Sequence, residues 1–269
     1  MIVAFVGKGG VGKTSVSSAF ALELSRFGKT LIVSTDLMPS LQFIFTQHDN
    51  VSVMELTEKE VSERWEEKYG EDVMQIAREF IDADEELLHH ISRAPGVPEE
   101  FIISNLIELE NSGKYDFIVW DTPASSSTMH LLALERDFYN HLNMDIKFYL
   151  KLKKKFRVSR TLEIIETWRD LAEDTWKGLA DANFVLVTSM DQLALLQSDE
   201  ISRDLSNMGM KIVFRICNRV KYINLRDEKC SIQIEEFIGN ARQVVEAMRP
   251  SIRPALNFLT DNRDRKMSR

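Results

Sequence analysis

The stretch GKGGVGKT, from Gly7 to Thr14, decides how the rest of the sequence is interpreted. It follows a short apolar run, Ile2–Val6, which predicts a buried strand, and it precedes a helical pattern of apolar residues over Ser15–Phe27. The spacing satisfies GxxxxGK[ST], the pattern of a loop that binds nucleotide phosphates (the P-loop). Glycines let successive backbone N–H groups approach phosphate oxygens, and the positive end of the helix that starts near Lys13 faces the same anion. We therefore expect Lys13 to contact the β- and γ-phosphates and the Thr14 hydroxyl to bind Mg²⁺.

The same glycines also fit a rival pattern. GxGxxG begins at Gly7 and is typical of dinucleotide-binding folds, and Asp36, 24 residues after Gly12, lies where such folds carry a ribose-binding acid. Two features favour the P-loop instead. A lysine-threonine pair follows the last glycine directly, which only the P-loop requires, and another predicted strand ends in an aspartate, Asp121, as a Mg²⁺-centred nucleotide site expects.

The remaining sequence predicts an α/β fold. Buried strands are predicted at Ile2–Val6, Thr30–Thr35, Phe117–Trp120, Phe184–Thr188 and Lys211–Ile216. Helical periodicity covers Met54–Glu110, Leu131–Leu179, Gln192–Met208 and Ile232–Met248, whereas Arg263–Arg269 is expected to be frayed. Strand, loop, helix and strand in the first 36 residues form a βαβ unit, which implies a doubly wound, mostly parallel sheet with helices on both faces. We predict a single domain over residues 1–269, with helical insertions at about 54–110 and 129–180.

Composition excludes several classes of protein. The chain has 269 residues, a net charge of −8 and a sequence pI near 5.3, which argues against broad, sequence-independent binding of nucleic acid. Two cysteines, Cys217 and Cys230, cannot form a disulfide framework or a four-cysteine metal site, and we expect both to be unremarkable. No apolar run has the length of a membrane span, and the apolar N-terminal stretch is too short for a signal peptide, so we expect a cytoplasmic location.

The phosphate-loop sequence, with its additional early lysine Lys8, resembles the deviant Walker-A ATPases. Within that group, the chain is most similar to the ArsA family, which comprises arsenite-pump ATPases and ATPases that target tail-anchored membrane proteins. The resemblance rests on Gly7–Asp36, on YDFIVWDTP at Tyr115–Pro123, and on Asn218 in FRICNRV. It implies a Mg²⁺-dependent ATPase that acts as a nucleotide-switched homodimer.

The resemblance also implies a role for individual residues. The loop residues that would hold the ATP phosphates are Gly7, Lys8, Gly9, Gly10, Val11, Gly12, Lys13, Thr14 and Ser15. Lys8 would cross the dimer interface to the partner's phosphates, where an added cation stabilises the charge that develops during phosphoryl transfer. Asp36 would orient the attacking water in the segment called switch I. Asp121, Thr122 and Pro123 would form switch II, with Asp121 near Mg²⁺, and Asn218 would read the adenine edge through its amide.

Two segments depart from the family pattern, and they bear on coupling between nucleotide and partner. Switch I continues as Asp36-Leu37-Met38-Pro39 where the family has DPA, and serines replace a glycine and a histidine of the family's switch II within Asp121–Thr128. These changes suggest that switch II couples to the nucleotide differently.

The partner is left open by the sequence. Two cysteines provide no evident arsenite site, and there is no CxxC pair of the kind that bridges related dimers through zinc. The apolar stretch Leu131–Leu152 suits a hydrophobic membrane-protein client, which makes targeting or chaperoning the first hypothesis. A basic, aromatic segment at Lys147–Arg160 keeps open a partition-type ATPase that contacts DNA or a membrane surface. A third hypothesis is an ATPase for metallocentre assembly.

Overall fold

The computed structural model describes residues 1–35, 40–47, 49–55, 57–79, 82–94, 97–123, 128–134, 136–137, 140, 144, 160–221 and 229–267. Its strands are β1 (Ile2–Val6), β2 (Thr30–Ser34), β3 (Val51–Glu55), β4 (Phe117–Asp121), β5 (Asn183–Ser189), β6 (Lys211–Val220) and β7 (Ile232–Glu235). Its helices are α1 (Lys13–Leu24), α2 (Glu58–Arg78), α3 (Glu85–Ser92), α4 (Val97–Asn111), α5 (Arg160–Asp181), α6 (Gln192–Asn207) and α7 (Ala241–Met267), with a short 3₁₀ turn at Leu41–Phe43. Residues 128–134 are also helical.

The seven strands form one sheet in the order β3-β2-β4-β1-β5-β6-β7, and every pair is parallel. The predicted doubly wound α/β fold, with helices on both sides of the sheet, is confirmed. The strands β1, β2 and β4 are buried along their whole length, which explains their nearly continuous apolar sequences.

The main core lies between one face of the sheet and the helices α1 and α7. Alternate residues of β1, Val3 and Phe5, belong to it, as the twofold alternation of side chains along a strand requires. Phe5 contacts Phe20 of α1 edge-on, with ring centroids 5.0 Å apart. This packing fixes the relation between the end of β1 and the start of α1, and the phosphate loop connects those two points.

Four differences from the sequence prediction go beyond small shifts at the ends of elements. The strand β3 was expected as loop and helix, and β7 was expected at the start of a helix over Ile232–Met248; in both cases the backbone pairs with a neighbouring parallel strand instead. The strand β6 continues four residues beyond Ile216. The expectation of a frayed end at Arg263–Arg269 was wrong as well, because α7 continues to Met267.

The chain divides into two compact units. The sheet unit comprises Met1–Glu55, Leu109–Met129 and Ala180–Arg269, and the helical unit comprises Leu56–Glu108 and His130–Leu179. The two segments of the helical unit lie close to the predicted insertions at 54–110 and 129–180. In the described part of the chain, no helix has the length and apolar character of a membrane span.

Candidate functional site

At two positions of the phosphate loop, neighbouring atoms lie too close to the backbone for any residue other than glycine. Gly7 follows β1, and a Cβ atom there would lie 2.1 Å from the carbonyl oxygen of Val187 in β5. Gly12 has φ 89° and ψ 31° at the N-terminal cap of α1, and its Cβ atom would lie 2.4 Å from Nδ2 of Asn218. A left-handed backbone and a crowded Cβ position both exclude ordinary side chains. The structure therefore accounts for the first and the last glycine of the motif.

Positive charge gathers around this loop. Lys13 is the first residue of α1, its side chain is largely buried, and its Nζ donates a hydrogen bond of 3.3 Å to the carbonyl oxygen of Lys8. Lys8 is half-buried at the same loop. Hydrogen bonds from Ser189 and from a backbone N–H lower the pKa of Asp191, and the charge of Lys8 adds to that effect. The Lys13 ammonium and the positive end of α1 thus lie together at the loop that also carries Lys8, an arrangement that suits a polyphosphate.

The predicted switch II begins beside this loop. Asp121 ends β4, pairs in register with Phe5 of β1 and is completely buried. The Thr122 hydroxyl donates to the carbonyl oxygen of Phe5 at 2.7 Å, and the carbonyl oxygen of Pro123 accepts from Thr128 at 3.1 Å. Because β1 and β4 are parallel neighbours, their carboxyl ends bring Asp121 to the start of the phosphate loop. The predicted water-orienting residue, Asp36, lies outside the described residues, as do residues 124–127.

Asn218 meets the phosphate loop from β6. Its side chain is fully buried, and Nδ2 donates to the carbonyl oxygen of Val11 at 2.9 Å. Its Oδ1 is also buried and accepts no hydrogen bond from any described residue. The amide donor therefore serves the loop, and the amide acceptor is left for another group.

The next residue, Arg219, belongs to no motif that the sequence contains. Its backbone is left-handed, with φ 57°, and its Nη1 donates to the carbonyl oxygen of Gly10 at 3.0 Å. Among the described residues it is the one non-glycine residue with a positive φ. The available signal was its position directly after Asn218, which by itself predicts no contact.

The two cysteines also depart from the expectation. Cys217 and Cys230 form a disulfide bond between β6 and the residue that precedes β7 by two positions, with Cα atoms 5.7 Å apart. They were predicted to be unremarkable, and that prediction was wrong. The parallel pairing of β6 with β7 brings the two positions together across the sheet. Neither sulfur is then a free thiolate, and the described residues hold no cluster of three or more His, Cys, Asp or Glu side chains that could bind a metal ion.

The helical unit contains a second concave site. A cavity of about 390 Å³ opens between α2, α3, α4 and α5. Its lining is almost entirely apolar and includes Trp65, Tyr69, Ile76, Phe101, Trp168 and Leu171. Tyr69 is at the centre of the aromatic group, with ring centroids 6.1 Å from Phe101 and 6.4 Å from Trp168. The apolar stretch predicted for a client, Leu131–Leu152, lies mostly outside the described residues, and its described part includes the buried Leu131 and Leu132.

A parallel sheet, a glycine-rich loop between β1 and α1, and an aspartate at the end of a neighbouring strand together define a P-loop nucleotide-binding protein. The model of the ArsA family, described as anion-transporting ATPase, matches residues 1–249. The chain therefore belongs to this family, and the resemblance and the ATPase class predicted from the sequence are confirmed.

Individual relatives agree with that assignment. The protein named "Putative arsenical pump-driving ATPase 2" from Aquifex aeolicus is 30% identical over 244 residues, which is 83% of this chain and 81% of the relative. ATPase ASNA1 homolog 2 from Paramecium tetraurelia is 25% identical over 259 residues, covering 84% and 77%. ATPase GET3C from Arabidopsis thaliana is 25% identical over 278 residues, covering 86% and 70%. Each of these proteins is named as an ATPase.

Proposed function

We propose that ATP binds with its phosphates at Gly7–Ser15 and is hydrolysed there, within a single ATPase domain that carries the helical insertions. The observation that carries this proposal is the loop itself, in which glycines fixed by close contacts lead into the start of α1 and the largely buried Lys13. Water would attack the γ-phosphorus and break its bond to the bridging oxygen of ADP, releasing phosphate. Lys13 would stabilise the negative charge on the transferring group, and Asp36 would orient the water.

We further propose that Mg²⁺ accompanies the nucleotide. The hydroxyl of Thr14 and the carboxylate of Asp121 are hard oxygen donors of the kind that Mg²⁺ prefers, and Asp121 lies at the carboxyl end of β4, beside the strand that leads into the phosphate loop. Thr14 would bind the ion, while Asp121 would act near it without direct contact. The ion would neutralise charge on the β- and γ-phosphate oxygens.

Asn218 has a proposed part in holding the adenine. Its buried Oδ1 lacks a hydrogen-bond partner among the described residues, and an exocyclic amino group is the kind of donor it needs. Its Nδ2 remains on the loop, so one side chain would connect the base to the phosphates.

We propose that two copies of the chain close on ATP, with Lys8 of each copy reaching the phosphates of the other. The support is an exposed apolar group directly after the carboxyl end of β5. Met190, Leu193 and Leu196 are 38%, 55% and 60% exposed, and the two leucines are three residues apart on α6, hence on one face of the helix. An ATP-dependent increase in mass by light scattering tests this proposal, and Leu193→Glu should prevent the increase.

For the partner, we propose a hydrophobic segment of a membrane protein, which the chain would target or chaperone from a cytoplasmic location. The support is the family resemblance together with the aromatic cavity of the helical unit, which is the type of surface that accepts apolar side chains. The basic segment Lys147–Arg160 that would favour DNA or a membrane surface lies outside the described residues, except for Arg160.

The nucleotide site is tested by Lys13→Ala. We expect a loss of at least about a hundredfold in kcat/KM for ATP, because the substitution removes a cation that contacts the transferring phosphoryl group. Lys29→Ala is the matched control. Lys29 is exposed just before β2, at the amino ends of the strands and away from the phosphate loop, so we expect this variant to hydrolyse ATP normally. Normal turnover by Lys13→Ala would refute the site.

The client is tested by capture from a lysate with Asp36→Asn protein loaded with ATP, followed by mass spectrometry. If Asp36 orients water, this variant should hold the ATP-bound state and enrich proteins that have a single C-terminal hydrophobic segment. The same experiment with Leu171→Asp, in the cavity, should lose those proteins, while Lys177→Asp, on the exposed side of α5, should retain them. Recovery of DNA-associated proteins or of a metalloenzyme instead would favour the partition-type or metallocentre hypothesis.

A further inference from the structure

Two consecutive residues of β6 contact two consecutive peptide groups of the phosphate loop. Asn218 donates to the carbonyl oxygen of Val11, and Arg219 donates to the carbonyl oxygen of Gly10. In a regular strand, neighbouring side chains point to opposite faces, so both could not reach one loop. The pairing between β6 and β7 shifts register between Cys217 and Val220, and Arg219 adopts its left-handed backbone within that bulge. The bulge thus directs a second side chain at the loop.

The two contacts determine where the loop's N–H groups point. In a trans peptide, the C=O and the following N–H are antiparallel, and no peptide bond among the described residues is cis. Because Arg219 holds the Gly10 carbonyl on the β6 side, the N–H of Val11 points away from β6. Because Asn218 holds the Val11 carbonyl on the same side, the N–H of Gly12 also points away. Two successive donors are thereby turned together, as an anion-binding nest requires.

A left-handed backbone is unfavourable for arginine, which makes this conformation informative. The segment is anchored on both sides of Arg219. The Cys217–Cys230 disulfide fixes the residues before it, and the backbone N–H of Glu236 donates to the carbonyl oxygen of Val220 after it. Held in this way, the guanidinium reaches a loop that lies more than 200 residues earlier in the sequence.

We propose that Arg219 is a positioning residue for ATP binding, which acts by orienting the Gly10–Val11 peptide of the phosphate loop. This inference rests on the proposed nucleotide site at Gly7–Ser15. In this proposal, Arg219 contacts the backbone of the loop and does not touch the reacting atoms. Its loss should therefore weaken nucleotide binding while leaving the chemical step nearly unchanged.

The test compares Arg219→Ala, Arg219→Gly and Arg219→Lys by KM and kcat for ATP, and by the Kd of a fluorescent ATP analogue. We expect Ala and Gly to raise KM and Kd about tenfold with kcat within about twofold, the size expected for one charge-assisted hydrogen bond. Lysine should restore most of the affinity, because it can donate to the same carbonyl. Arg215→Ala is the matched control, since Arg215 lies on the same strand and pairs with Asp199, away from the loop.

The glycine variant separates positioning from backbone strain. Glycine adopts φ 57° without strain, whereas alanine pays about the same backbone penalty as arginine, so a loss of affinity caused by relaxation of a strained backbone would appear in Arg219→Ala and disappear in Arg219→Gly. Equal loss of affinity in both supports positioning, whereas wild-type affinity in Arg219→Gly overturns it. Lys13→Ala is measured in parallel. If Lys13→Ala loses ATP binding and the Arg219 variants do not, the nucleotide site stands and this inference fails; if Lys13→Ala binds normally, the site itself fails.

Discussion

In the sheet unit, neighbouring atoms leave room only for glycine at two positions of the phosphate loop. In the helical unit, by comparison, the cavity is lined by apolar side chains of many shapes. Gly7 and Gly12 lie against a carbonyl and an amide, and the Lys13 ammonium and the Asn218 amide both donate hydrogen bonds to carbonyl oxygens of the loop. In the helical unit, by contrast, a buried hydroxyl at the cavity, that of Thr175, has no hydrogen-bond partner among the described residues. A phosphate site needs fixed donors, while a site for varied apolar ligands needs volume and few directional contacts. The two units differ in the way those two tasks require.

We expect the largest effect from Gly7→Ala, in the phosphate loop. The new Cβ would lie 2.1 Å from a backbone oxygen in the middle of the sheet, and neither β1 nor β5 can move without disturbing the core. We expect the free energy of unfolding to fall by about 3 kcal/mol or more and ATP binding to be lost. Urea denaturation and nucleotide titration measure the two effects.

Gly113→Ala is the control for Gly7→Ala. Gly113 has φ 64°, but its Cβ would meet nothing within 4 Å, so the substitution adds backbone strain without a clash. We expect a loss of about 1 kcal/mol and unchanged ATP binding. Equal losses for the two variants would contradict the claim that close approach, rather than conformation, selects glycine at the loop.

The second prediction concerns Glu23, a buried acid between α1 and α7. Its carboxylate accepts from Arg249 at 2.6 Å and from Arg253 at 3.3 Å. Burial alone would raise the pKa of Glu23, but the hydrogen bonds and charges of Arg249 and Arg253 outweigh burial, so the pKa lies below its ordinary value. Arg26 also pairs with this carboxylate, at 3.2 Å. Glu23→Gln therefore leaves three arginines facing a neutral group, and we expect a loss of about 3 kcal/mol in the free energy of unfolding near pH 7.

The pH dependence gives the sign of this effect. A carboxyl group whose pKa is lower in the folded state stabilises the fold above its unfolded pKa, about 4.3, and that stabilisation is lost as pH falls through the folded pKa. The difference between wild type and Glu23→Gln should therefore be largest above about pH 5 and shrink in acid. Glu246→Gln is the control, because Glu246 is more exposed, and we expect it to cost less than about 1 kcal/mol. A difference for Glu23→Gln that grows in acid would contradict the assignment.

How far the sequence could predict this fold depended on burial. The strands β1, β2 and β4 are covered on both faces, so their apolar runs were unambiguous. The edge strand β3 is partly exposed along its length, and its sequence VSVME alternates too briefly to separate it from the helix that follows. The sequence IQIE of β7 also alternates, but four residues lie within the length where strand and helix patterns overlap. At both edges, pairing with the neighbouring strand decided the structure.

The candidate site shows the same division between local and distant causes. The place of Lys8, Lys13 and the glycines in a loop between a strand and a helix was predictable, because all of them belong to one contiguous motif. Arg219 was not, since its contact depends on a bulge in β6 and on a loop more than 200 residues away. The Cys217–Cys230 bond was missed for a similar reason, because the sequence does not show that β6 and β7 are neighbours, and only that pairing brings the two cysteines together.

The smallest effect that we expect on stability is at Thr175, in the helical unit. Thr175 is buried at the cavity, and its hydroxyl has no hydrogen-bond partner among the described residues. Thr175→Val replaces that hydroxyl with a methyl group of similar size, and we expect a gain of about 1 kcal/mol in the free energy of unfolding. Thr161→Val, on the same helix, should instead lose about 2 kcal/mol, because Thr161 donates to the carboxylate of Glu79.

Capture of client proteins from a lysate then shows whether the Thr175 hydroxyl serves the fold or the binding of a client. If the unpartnered hydroxyl serves only the fold, Thr175→Val should be more stable and should capture the same proteins as wild type. If it is kept to contact a bound segment, the variant should gain stability and lose capture, since functional sites retain polar groups that the folded protein alone would not favour. A loss of stability in Thr175→Val would mean that the hydroxyl already has a partner in the folded chain, and the contrast with the hydrogen-bonded side chains that hold the phosphate loop would no longer hold.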